Sequence, residues 1–185
     1  MGRFANLVDT PEGIENFKTW YNIPPRVSIR HCRLDEWHAL RSEGDVVIPM
    51  IAFIKGWMRI SIGRVIRDFL IAHRLCPTQC SPNLFRILGS MDALNENMRV
   101  NITHHDVNWV YNCQHLKSMG YYLKTRVLEV TLISCLPESN KGMDQDFFII
   151  LSEWHDGLHF RHEMGNRVGY FRFKYPVLIV NISIS

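Results

Sequence analysis

The spacing of hydrophobic positions predicts helices in the first two thirds of the chain and strands after them. Helical patterns cover residues 14–21, 35–43, 64–74, 82–91 and 103–116. A short extended piece is expected at residues 27–32. Beyond Gly120 the period shortens to two over residues 127–135, and residues 147–151 form a compact apolar run. The pattern predicts an α+β fold with a helical middle and a small, mainly antiparallel sheet built from the C-terminal half, including two strands around a turn at residues 139–142.

Local signals mark where several of these elements begin and end. The helix over residues 64–74 carries one apolar stripe, formed by Val65, Ile66, Phe69, Leu70 and His73. Ser81 and Pro82 are a helix cap and a first helical position, so a second helix starts there and packs on the first. Residues 103–106 match a capping box in its Asp form, which opens a third helix through about Leu116. Pro49 excludes a central strand at residues 46–53 because proline lacks an N–H donor.

Composition places the protein among ordinary globular chains. It has 185 residues, of which 46% are hydrophobic and 21% charged, typical of a single domain with one core. No apolar run is long enough to cross a bilayer, and no secretory signal follows the N-terminus. Five cysteines at irregular spacing indicate reduced thiols. We therefore expect an intracellular protein, nuclear or cytoplasmic, that is not secreted and has no membrane partner.

The candidate catalytic and metal-binding groups do not form a known site. His73, Cys76 and Cys80 are close in sequence but lack the second Cys/His pair of a structural zinc site. The acids that a two-metal nuclease would need are scattered: Asp68, Glu129, Asp144, Asp146, Glu153 and Asp156. Residues 104–106 are explained by helix capping, and residues 139–142 lack the glycines and the Ser/Thr of a phosphate-binding loop. We predict no catalytic residues, no metal site and no cofactor.

Charge is distributed unevenly along the chain. Residues 55–86 hold six cations and one acid, a net charge of +5 where the whole chain carries +3. The cations are Lys55, Arg59, Arg64, Arg67, Arg74 and Arg86. Such a stretch is typical of a surface that binds DNA or RNA, since lysine and arginine displace phosphate counterions. It is equally typical of an ordinary solvated helical face, which the sequence favours because aromatic residues fall mostly in core positions and no base-reading motif or aromatic platform accompanies the cations.

Several short motifs occur in one order along the chain. They are IPPRVSIR at residues 23–30, LCPTQ at 75–79, PNLFRIL at 82–88, GYY at 120–122 and LPESNKG at 136–142. Together they resemble the plant gypsy-type transposon (transposase-like) domain over about residues 17–154. Each motif is short, and it is their order that carries the resemblance.

The resemblance implies a non-enzymatic, transposon- or retrotransposon-derived module that binds nucleic acid or associates with itself. The alternative is a degenerate or partial transposition enzyme, a metal-dependent nuclease or strand transferase lacking part of its chain. Residues 143–146 depart from the family pattern of a tryptophan and a basic residue. After Trp154 the match fades, so we expect one α+β domain over residues 1–160, a divergent tail over residues 161–185, and a truncated copy of the family.

Overall fold

The computed structural model describes residues 4–32, 46–60, 62–116, 120–127, 130–134, 136, 146–151, 159–161 and 177–179. The helices are α1 Pro11–Trp20, α2 Met50–Ile54, α3 Arg64–His73, α4 Pro82–Met98 and α5 His104–Val110, with 3₁₀ turns at Ala5–Leu7 and Pro77–Gln79. The strands are β1 Ser28–Cys32, β2 Val46–Pro49, β3 Tyr111–Leu116, β4 Gly120–Thr125, β5 Phe147–Leu151, β6 His159–Arg161 and β7 Val177–Ile179.

The largest described sheet has β5 at its centre, between β1 and β2, with both pairings antiparallel. Phe148 and Ile150 of β5 are buried in the main core, whereas Ile149 packs on the other face with Val47 and Cys32. A strand buried on both faces is apolar throughout, which explains the uninterrupted run that the sequence shows here. β2 is an edge strand and ends at Pro49, so the prediction that this segment is not central is confirmed.

A second, two-stranded sheet is the hairpin of β3 and β4, and β6 pairs with β7 in a third. The hairpin register runs from Tyr111 opposite Thr125 to Leu116 opposite Gly120. Gly120 has a φ of 69°, a conformation that glycine adopts without a Cβ clash. The α+β class is confirmed. Most described strands lie in the C-terminal half, as expected, but the three-stranded sheet takes β1 and β2 from the first 49 residues.

The two helices on either side of Pro77 pack against each other, as predicted. The residues expected at their contact are all buried in the main core: Phe69, Leu70, Leu84, Phe85 and Leu88. The hydroxyl of Ser81 accepts a hydrogen bond from the Leu84 N–H at 3.4 Å, and Pro82 occupies the first turn of α4. Local cap chemistry therefore sets the start of α4, and the apolar stripe sets its packing.

Two predicted elements are wrong. The helix that opens with the capping box of Thr103 and Asp106 ends at Val110, and the chain continues directly as β3. β3 pairs with β4 along its whole length, and a longer α5 would leave the backbone groups of β4 without these partners. Residues 130–134 form no strand, and Val130 and Leu132 are exposed. Both edges of β5 are already occupied by β1 and β2, so this alternating segment has no place beside it.

The predicted helix at residues 35–43 and the predicted turn at residues 139–142 lie outside the described residues. The single domain over residues 1–160 and the divergent tail over residues 161–185 stay predictions. In the described part of the chain, no helix combines the length and the apolar character needed to cross a bilayer.

Candidate nucleic-acid interface

Helix α3 presents a row of arginines, which we call the α3 arginines: Arg64, Arg67 and Arg74. Arg64 and Arg67 are one turn apart on the side of α3 away from its buried stripe, and Arg74 is the exposed C-cap. A rise of 1.5 Å per residue puts the Cα atoms of Arg64 and Arg74 about 15 Å apart. Arg64 donates to the side-chain oxygen of Asn101, and the Nε of Arg67 donates to Asp68 at 3.0 Å. The row is long enough to follow several phosphates of a nucleic-acid backbone.

The N-terminus of α3 is capped by a side chain of another helix. Its N-cap residue, Gly63, has no side chain to offer. The carboxylate of Asp92, in α4, accepts from the Val65 N–H at 2.8 Å and from the Ile66 N–H at 3.3 Å. Burial is the main cause of the raised pKa of Asp92, while the two backbone hydrogen bonds act in the opposite direction. Asp92 therefore ties α3 to α4 and fixes where the α3 arginines point.

The second group of cations lies in and near residues 55–59, a segment that we call the Trp57 loop. The chain leaves α2 in a tight turn in which the Met58 N–H donates to the Ala52 carbonyl at 3.0 Å. A Cβ on Gly56 would lie 2.3 Å from the same carbonyl oxygen, so only glycine fits at that position. Trp57 then adopts a φ of 56°, in the left-handed region that bulky residues rarely enter.

Side chains alternate between core and solvent along this loop. Met58 and Ile60 are buried, whereas Trp57 and Arg59 are exposed. Trp57 and Arg59 therefore lie on the solvent side, about 7 Å apart along the extended chain. The loop thus places an aromatic ring next to a cation.

Arg86, in α4, reaches the same ring. Its guanidinium carbon lies 4.7 Å from the centroid of the Trp57 ring, within the range of a cation–π contact. Arg86 is only 8% exposed, and its Nε is buried with no hydrogen-bond partner among the described residues. Burial also lowers the pKa of Arg86. This side chain supports the indole and does not form part of an open charged surface.

The six predicted cations thus fall into two groups. Arg86 contacts Trp57 and Lys55 and Arg59 are within two residues of it in the chain, and the α3 arginines form the other group. Arg64 comes five positions after Arg59, so their Cα atoms are at most about 17 Å apart. A single extended strand of nucleic acid is long enough to contact both groups.

Sequence reasoning missed Trp57. The expectation that no aromatic platform accompanies the cations is wrong, because 68% of Trp57 is exposed and it lies against Arg86. Trp20 and Trp109 are also exposed, at 64% and 83%. The available signal was the alternation of Trp57 and Arg59 with Met58 and Ile60 directly after a glycine, although the contact with Arg86 spans nearly thirty residues and has no local signature.

The described cysteines are free and mostly buried, as predicted for reduced thiols. Cys80 donates its S–H to the Cys76 carbonyl at 3.3 Å. Burial raises the pKa of Cys76 to about 12 and that of Cys113 to about 11. Burial, with Cys113 and Cys76 as neighbours, raises the pKa of Cys80 as well. These thiols are therefore protonated and poorly nucleophilic at neutral pH.

The acids considered for metal-dependent catalysis are placed separately where they are described. Asp68 pairs with Arg67 on the surface of α3. Asp146 is 1% exposed and accepts a hydrogen bond from the Phe4 N–H, so it joins the N-terminal segment to β5. The remaining four lie outside the described residues: Glu129, Asp144, Glu153 and Asp156. Among the described residues no group of three His, Cys, Asp or Glu side chains is placed to hold a metal ion.

A scan against protein-family models found no match, and searches of curated proteins and of solved structures also found none.

Proposed function

We propose that the protein is a non-enzymatic nucleic-acid-binding module of the transposon-derived kind that its motifs resemble. The observation that carries the proposal is the set of exposed cations that form no ion pair among the described residues. In the described part of the chain, ion pairs join Lys18 to Glu15 and Arg67 to Asp68. Arg59, Arg64 and Arg74 are exposed and form no ion pair among those residues, although Arg64 is near enough to Asp92 to act on the pKa of that carboxyl. Unpaired surface cations gain most from a polyanion, because each phosphate that they neutralise releases condensed counterions.

The placement of these cations supports binding along a strand. The α3 arginines span about 15 Å, several nucleotide spacings of a nucleic-acid backbone. The Asp92 cap fixes the first turn of α3 against α4, so these charges are carried by an anchored helix. A nuclear or cytoplasmic location is part of the proposal, since both compartments contain nucleic acid and keep thiols reduced.

The test is a fluorescence-anisotropy titration of labelled DNA and RNA with the full chain at low salt. We expect binding by the wild type, weakened when Arg59, Arg64 and Arg67 are together replaced by glutamine. Stability should change little, because exposed charges contribute little to folding. The matched control replaces three exposed cations outside both groups: Arg26, Lys124 and Arg126.

Three outcomes would contradict the proposal. The first is a wild type that binds no nucleic acid, and the second is equal weakening by the control and the test variants. The third is cleavage of the probe that depends on added Mg²⁺ or Mn²⁺ and on the protein, which would support the transposition-enzyme alternative. Light scattering on the same samples reports self-association, the companion expectation, as an increase in mass without nucleic acid.

A further inference from the structure

We infer that Trp57 is a stacking site for an unpaired nucleobase, so that the protein selects single-stranded over double-stranded nucleic acid. The inference rests on the proposed function and adds the class of ligand to it. Its starting point is the indole of Trp57, most of which lies in solvent next to Arg59 although the ring is large and apolar. An exposed aromatic ring beside cations is the usual arrangement in proteins that bind single strands.

The backbone at this position is unfavourable for tryptophan. A φ of 56° suits glycine, which has no Cβ. In most other residues, asparagine and aspartate excepted, the Cβ comes too close to the backbone at this angle. Burial of the ring does not compensate, because 68% of Trp57 is exposed. Cation–π contact with Arg86 is the only described interaction of the indole that offsets this strain. Left-handed residues also end α3 and α4, at Arg74 and Arg99, so the backbone conformation belongs to the end of a helix, and it is the exposure of a large indole beside a cation that suggests a ligand.

Arg86 adds a buried positive charge against the indole. It is more than nine-tenths buried, and its guanidinium carbon lies 4.7 Å from the centroid of the Trp57 ring. A cation held against an aromatic ring is attracted by its π-face. Because the Nε of Arg86 is itself buried, Arg86 supports the ring and leaves direct contacts with a ligand to the exposed part of the indole.

The chemistry of the loop favours a base over a peptide. Lys55 and Arg59 lie two residues from Trp57 in the chain and Arg86 lies against its ring, so a cationic peptide would meet positive charge at this loop. A nucleotide instead offers a flat face to the indole and a phosphate to the cations. In a duplex both faces of each base are covered by neighbouring bases, so a ring projecting from a surface loop stacks only on an unpaired base.

The experiment compares three variants with the wild type, using labelled oligo(dT), oligo(U) and a DNA duplex of equal length. Trp57→Gly removes the ring and suits the left-handed backbone, and Trp57→Phe retains a smaller ring. Trp109→Ala is the matched control, because Trp109 is also exposed but lies in α5. We expect Trp57→Gly to weaken single-strand binding about 5- to 150-fold, the range for one stacked base.

Trp57→Phe should recover much of that affinity, and duplex binding and the Trp109→Ala variant should match the wild type. The oligo(dT) and oligo(U) arms show whether the natural strand is DNA or RNA.

A Trp57→Gly variant that binds single strands as tightly as the wild type overturns the stacking site and leaves the proposed function standing. Equal loss on duplex and single strands overturns the selectivity. A wild type that binds none of the probes overturns the proposed function itself. A urea midpoint for Trp57→Gly that is unchanged or raised, as relief of the left-handed conformation predicts, confirms that the variant folds.

Discussion

Replacing Asp92 by alanine should destabilise the protein by about 2–3 kcal/mol, because α3 has no other N-terminal cap. Loss of a side-chain cap costs typically about 1 kcal/mol and up to about 2 kcal/mol. The N–H groups of Val65 and Ile66 would also lose their acceptor while both residues are buried, which adds a desolvation cost of about 1 kcal/mol or more. For a chain of this size the melting temperature should fall by about 4–12 °C.

Asp92→Asn separates the hydrogen bonds from the charge. Asparagine keeps an oxygen that can accept from the two N–H groups, so we expect a loss below about 1 kcal/mol. Burial raises the pKa of Asp92 above its ordinary value of 3.8. The folded state therefore binds this proton more tightly than the unfolded state, and the free energy of unfolding due to Asp92 rises as pH falls through the folded pKa towards 3.8. Between neutral pH and pH 4 the wild type should gain stability relative to Asp92→Asn.

Gly63 provides a coupled test of the same cap. A Cβ at Gly63 would lie 2.1 Å from a carboxylate oxygen of Asp92, so Gly63→Ala must displace the cap. Once the cap is lost, adding Asp92→Ala should cost little more, and a double-mutant cycle should show strong coupling. Urea unfolding followed by circular dichroism measures all four species, with Glu96→Ala as an exposed acid control in α4. If Asp92→Ala and Glu96→Ala have equal stability, or if the Gly63 and Asp92 effects add, the capping role is refuted.

Two further stability predictions concern α3. Phe69→Ala should cost about 3–5 kcal/mol, because the ring is fully buried between α3 and α4, and a urea-measured loss below about 1 kcal/mol would remove Phe69 from the core. Arg74→Gly should leave stability unchanged or slightly raised, because Arg74 is a left-handed C-cap with a φ of 53°, whereas Arg67→Gly inside the helix should cost about 1 kcal/mol. Equal losses for the two glycine variants would show that the cap conformation is not the cause.

Elements set by neighbouring residues could be predicted from the sequence. Ser81 with Pro82 marks the start of α4, and Thr103 with Asp106 marks the start of α5, because caps act within one helical turn. The end of α5 and the fate of residues 127–135 depend on strand pairing. β5 pairs with strands more than 90 residues earlier in the chain. A local sequence pattern therefore cannot show that both sides of β5 are already hydrogen-bonded to other strands.

The same distinction between neighbouring and distant residues applies to the candidate site. The cations of residues 55–86 are visible in the sequence as charge, and the direction of the α3 arginines follows from the apolar stripe. The contact of Trp57 with Arg86 could not be predicted, because Arg86 lies in a later helix and the left-handed turn at Trp57 has no specific sequence signal. Asp92 was missed for the same reason, since its partners lie 26 and 27 residues earlier.

The salt dependence of nucleic-acid binding tests the central claim most directly. The observed binding constant of the wild type should fall linearly with salt concentration on logarithmic axes. Replacing Arg59, Arg64 and Arg67 by glutamine should flatten that slope by about 2–3 units, at 0.7–0.9 for each lost phosphate contact. The control variant at Arg26, Lys124 and Arg126 should keep the wild-type slope. A test variant with the wild-type slope and affinity would contradict the account and leave these arginines as an ordinary solvated face of the protein.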